Sequence, residues 1–120
     1  MNTDLTYLRH YAAAISRTEK SLVRLEQQQI RPLSDTVSQW LSRIDAEIAN
    51  DGTLKNDAQR KAKRIELTSD PEYQALSEQL RQLKYKAELK RIKLGEQSRF
   101  FSVAKLEARH QIAQMEALTA

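Results

Sequence analysis

Ser69-Asp70-Pro71-Glu72-Tyr73-Gln74-Ala75-Leu76 reads as the beginning of a helix. Asp70 can cap it, Pro71 suits the first helical position because its missing N–H is not needed there, and Glu72 sits beside the positive helix end. From this start, Tyr73, Leu76, Leu80, Leu83, Ala87, Leu94, Phe101, Ala104, Ala108, Ile112 and Met115 mark one helical face. No proline follows, and Gly95 costs about 1 kcal/mol relative to Ala without ending a helix. The pattern predicts one helix over 71–118.

Upstream, Asn56 or Asp57 can cap a short helix over 57–68, in which Ala58, Ala62 and Ile65 share a face able to pack. Before that, Asn50-Asp51-Gly52 is a stop signal, since Asn and Gly tolerate positive φ. It closes a first long stretch, predicted helical over 3–49, with Thr3 or Asp4 as its cap. Its apolar stripe runs Leu8, Tyr11, Ile15, Leu22, Ile30, Leu33, Val37, Leu41, Ile44, Ile48. Tyr11, Leu22, Leu33 and Ile44 recur every eleven residues, a period that predicts a nearly straight or slightly right-handed helix. Glu19 and Glu26 interrupt the stripe, either at its edge in water or as a register-setting ion pair with the second helix. Pro32 removes a helical hydrogen bond and clashes with the preceding turn. A kink there is expected, because the apolar phase passes through; the alternative is a break after Ile30.

Together these readings give an all-α fold: a long antiparallel helical hairpin, coiled-coil-like, forming a single domain over 1–120 with a short basic connecting helix. If residues facing each other sum to roughly 120, as matched helix lengths suggest, Ile48 faces Tyr73, Leu8 faces Ile112, and His10 lies near His110. Trp40 is read as a core anchor; an exposed Trp would instead mark a partner site. On the last helix Leu89, Ile92, Phe100, Val103 and Leu106 form a second apolar face. Two apolar faces require two neighbours, so a homodimer or larger helical bundle is expected, with these five residues in its interface.

The charge is uneven. Residues 1–54 carry six Lys/Arg against seven Asp/Glu, whereas residues 55–109 carry fourteen against eight. Arg60, Lys61, Lys63 and Arg64 crowd the short helix, and Lys86, Lys90 and Lys93 are spaced as one solvent stripe on the next. Such cations suit a phosphate backbone, DNA or RNA, without reading its sequence, and Tyr85 beside them could stack on a base. The competing readings are a solvated helix face and a surface for an acidic protein.

Composition limits the rest. The chain has no Cys and two His, too few soft ligands for a metal centre. It has no Gly-rich phosphate loop, no His-Glu-x-x-His and no nucleophile motif, so no enzyme, cofactor or metal is expected. No secretion signal and no long apolar run is present, which predicts a cytoplasmic protein without a membrane span.

Three stretches carry a family resemblance: Asn56-Asp57-Ala58-Gln59-Arg60-Lys61-Ala62, Ser69 to Leu76, and Phe100-Phe101-Ser102-Val103-Ala104-Lys105-Leu106-Glu107-Ala108-Arg109. They resemble small coiled-coil proteins of phages and mobile elements, often encoded near recombination genes, over about the second half of the chain. In architecture the chain is also similar to phage host-nuclease inhibitors built on long helical hairpins. The resemblance implies a setting in nucleic-acid metabolism. The function expected is that of a non-catalytic accessory protein binding nucleic acid non-specifically in recombination or replication. The alternatives are an interaction module, as adaptor or inhibitor of a host DNA-processing enzyme, and a purely structural oligomer.

Overall fold

The structure, a computed structural model, describes residues 5–119. Every regular element in them is helical: α1 Thr6–Leu25, a π-helical turn Glu26–Ile30, α2 Arg31–Asn50, α3 Asp57–Thr68 and α4 Pro71–Thr119. The caps expected at Thr3 or Asp4 lie outside the described residues. By their contacts the residues fall into two compact units, one comprising the chain through Arg24 and from Ala87 onward, the other Leu25–Lys86.

In the first unit α1 packs antiparallel against the C-terminal part of α4. Tyr11 meets Phe101 with ring centroids 6.3 Å apart, and Tyr7 adds an edge-on contact to Tyr11 at 6.5 Å. Lys105 Nζ lies 4.6 Å from the centre of the Phe101 ring, a cation–π contact. Further along, Lys90 Nζ donates to Ser21 Oγ at 2.8 Å. Small residues line this seam: Ala87, Ala104, Ala108 and Thr18 are the buried ones.

These contacts correct the expected register. Tyr11 faces Phe101 rather than the region of Arg109, and in the second unit Trp40 meets Tyr73, at 6.0 Å, where Ile48 had been expected. The reason is α3. It packs on the last turns of α2, where Arg64 donates to Asp45, so α4 begins alongside Trp40 instead of alongside the end of α2. His10 and His110 are consequently offset by about eight residues, or ~12 Å of helix. Lys63, Leu67 and Thr68 are the half-buried residues of α3, whereas the Ala58, Ala62 and Ile65 face expected to pack is exposed.

The second unit is built around Leu25, Val37, Ile44 and Leu80, all buried, with Trp40 half-buried between α2 and α4. Pro32 follows the π turn directly. Arg31 N–H bonds back to Glu26 O, five residues earlier, and the backbone stays right-handed helical at Leu25, Ile30 and Arg31. The helix therefore does not end at Ile30; the wider turn precedes the residue that cannot donate. The turn also explains the apolar spacing. Thr18 and Leu25 are seven apart, Val37 and Ile44 are seven apart, and the step from Leu25 to Ile30 is five. The eleven-residue period is thus an average over two seven-residue repeats joined by one π turn.

Helix ends follow from local chemistry. No described residue has positive φ, so α2 does not stop in the left-handed way expected of Asn50-Asp51-Gly52. Asp51 turns extended instead, and its carboxylate accepts from Thr53 N–H at 2.9 Å and Thr53 Oγ1 at 2.6 Å. Those bonds, the hydroxyl's first, hold the Asp51 carboxyl below its ordinary pKa. Asn56 caps α3 by accepting from Gln59 N–H at 2.9 Å. Asp70 caps α4 by accepting from Glu72 N–H at 2.8 Å, as its sequence signature predicts.

Candidate functional site

Two surfaces of the first unit stand out, one polar and one apolar, and both derive from the seven-residue repeat of α4. Tyr73, Leu80, Ala87, Leu94, Phe101, Ala108 and Met115 are seven apart and buried or half-buried. A second row, Leu76, Leu83, Lys90, Gln97 and Ala104, has the same spacing and degree of cover. Two of its members are polar where the pattern calls for apolar side chains.

Lys90 and Gln97 line a groove of about 260 Å³ together with Lys93 and, from α1, Ala14, Arg17, Thr18 and Ser21. Lys90 is half-buried and bonds to Ser21, so it points into the seam and not along a solvent stripe with Lys86 and Lys93, which are exposed. Thr18 is buried and returns its hydroxyl to Ala14 O at 3.1 Å. Gln97 Oε1 is buried and has no hydrogen-bond partner among the described residues. Among the described residues no carboxylate lines the groove. Glu19, expected at the stripe's edge or in an ion pair, is exposed and lies outside it.

The apolar surface consists of Leu89, Ile92, Phe100, Val103 and Leu106, each between 49% and 63% exposed. At about 100° per residue they fall within an arc of roughly 120°, centred about 160° from the residues that α1 covers. Glu96 and Arg99 lie in the same arc. Gly95 lies near it, and a Cβ added there would meet nothing.

In the second unit the basic residues of α3 are less available than their number suggests. Arg60 pairs with Asp57 at 3.1 Å, Lys63 with Glu66 at 3.7 Å, and Arg64 with Asp45. These pairs are largely solvent-exposed and individually weak, so they compete with an incoming anion without abolishing its attraction. On the neighbouring part of α4, Arg81 pairs with Glu78 at 2.6 Å, which raises the Arg81 pKa and lowers that of Glu78. Lys61 and Lys86 are exposed and form no ion pair among the described residues. Trp40, Arg43, Ile44, Glu47, Leu67 and Asp70 line a smaller recess of about 240 Å³; it opens where α3 hands over to α4.

Sequence reasoning named Lys90 and Lys93 but not Arg17, Thr18, Ser21 or Gln97. The signal available was the pair of polar residues at apolar positions of the α4 repeat; the α1 partners required the register. Among the described residues no three His, Asp or Glu converge as metal ligands, and no helix is long and apolar enough to cross a membrane. No known protein family, curated protein or solved structure shows a significant match to this chain.

Proposed function

We propose that this chain is a non-catalytic interaction module whose working form is a helical homo-oligomer assembled through α4. The observation that carries this reading is the strip Leu89, Ile92, Phe100, Val103, Leu106, left largely open on the side of α4 opposite α1. Apolar surface of this extent, though crossed by Glu96 and Arg99, is stabilised by removal from water, and a helix that is apolar on two sides needs two neighbours. The charges within the strip favour a second copy as that neighbour. Antiparallel pairing sets Glu96 of one copy near Arg99 of the other, while parallel pairing sets like against like.

Sedimentation of the purified chain at micromolar concentration should give a dimer or larger species. The Val103→Glu/Leu106→Glu double variant should be monomeric yet keep its helical circular dichroism. Arg99→Glu should weaken association, and adding Glu96→Arg should restore it. A wild-type monomer at these concentrations overturns the reading.

A second reading, non-specific binding of DNA or RNA, is favoured by the exposed Lys61, Lys86 and Lys93 on a chain of net charge +4. The setting in phage-type recombination or replication rests on the family resemblance. Affinity for single- and double-stranded DNA should then fall steeply with salt. Charge reversal of Lys86, Lys90 and Lys93 together should abolish it; full retention by that variant removes those residues from the site.

A further inference from the structure

We propose that the α1/α4 groove of the first unit is a seat for one phosphate group, held by Arg17, Lys90 and Lys93. The inference goes beyond self-association: Lys93 borders the apolar strip, but Arg17, Ser21, Lys90 and Gln97 line the groove on the α1 side of α4. Three observations converge on it. The cations Arg17, Lys90 and Lys93 line one space with no carboxylate among the described residues of its walls. Gathering like charges around a groove is unfavourable unless an anion offsets them. Lys90 occupies a seam position of the seven-residue repeat, where an apolar side chain would stabilise the packing; among the described residues its ammonium donates to the neutral Ser21 Oγ, 2.8 Å away, and to no carboxylate. A lysine placed there gives up stability and marks a position held for a partner. Gln97, on the same groove, has a buried Oε1 that accepts no hydrogen bond among the described residues.

The chemistry fits a tetrahedral oxyanion. Arg17 can present two N–H donors in a fork to two phosphate oxygens, and the lysines add point charges from the other helix. Ser21 accepts from Lys90 through its oxygen, which leaves its O–H proton to donate to the ligand. Thr18 does not take part, because its proton is committed to Ala14 O. The Gln97 amide can accept from a P–OH, or donate after a half-turn that exchanges its two ends. The space of about 260 Å³ is several times the ~30 Å³ share of one water, room for a phosphate group with its hydration.

The test titrates the full chain with inorganic phosphate at constant ionic strength, with chloride as the compensating anion, and follows both melting temperature and amide shifts at Ser21, Lys90 and Gln97. The seat predicts a saturable low-millimolar response in wild type. Arg17→Gln and Lys93→Gln, both at exposed positions, should each raise the half-saturating concentration about tenfold. Lys90→Met should melt higher than wild type without phosphate and lose the saturable response; if it does not fold, the two exposed variants decide. A second arm measures a single-stranded oligonucleotide against the same variants. Parallel loss of oligonucleotide binding identifies a nucleic-acid backbone as the phosphate source; unchanged oligonucleotide binding with lost phosphate response identifies free phosphate. Absence of any saturable phosphate response in wild type, or its persistence in Arg17→Gln and Lys93→Gln, overturns the proposal.

Discussion

Asp51 shows how much one side chain decides at the end of α2. Its carboxylate holds both Thr53 groups, and this closes the helix without any left-handed residue. Because the folded pKa is depressed, the contribution is fully present above the aspartate pKa of the unfolded chain. It is lost as pH falls through the lower, folded value. Carboxyl chemical shifts should therefore show Asp51 titrating below ordinary aspartate, and Thr53→Ala should move it back toward the ordinary value. A titration unchanged by that substitution would show that Thr53 is not the cause. The stop itself was legible in Asn50-Asp51-Gly52, but its mechanism was not, because Gly and Asp both end helices and only φ distinguishes how. Asp70 was legible in full: an acid, then Pro, then Glu leaves one economical arrangement, in which the acid accepts from the second helical N–H.

At the scale of elements, α4 is the most readable part of the chain and α1 the least. Apolar residues at every third or fourth position, with no interior proline, fixed α4 to within a residue of its observed end at Thr119. The same kind of pattern in α1 and α2 was averaged into eleven, since a five-residue step next to a proline can be told from ordinary scatter only by the hydrogen bond it makes. Register was also hidden. Equal helix lengths suggested end-to-end alignment, and nothing in the sequence says that α3 takes up the last turns of α2. Gly95 offers a clean check on α4. Its φ is not positive and a Cβ there meets nothing, so Gly95→Ala should stabilise the chain by roughly 0.5–1 kcal/mol through the reduced entropy of the unfolded state. Urea denaturation measures this. Destabilisation would mean that another surface closes over the glycine.

For the molecule as a whole, the proposed assembly would make stability and association one quantity. If the open strip on α4 is covered only when copies meet, melting temperature should rise with protein concentration, a dependence that dilution series in scanning calorimetry detect and that Val103→Glu/Leu106→Glu should erase. The strip was legible from the alternation of the second apolar face, because an unpartnered face needs no register to be seen. The phosphate seat was only half legible: Lys90 and Lys93 stood out by charge, while Arg17 and Ser21 belong to it solely through their placement across the seam. The bare leucines, isoleucine, phenylalanine and valine of α4 have one more effect, on the life of the chain in a cell. A freshly synthesised copy without companions displays the kind of surface that chaperones and proteases recognise. If copies assemble through this strip, scarce ones would be cleared while plentiful ones shelter one another, and steady-state abundance would climb more steeply than the rate of synthesis.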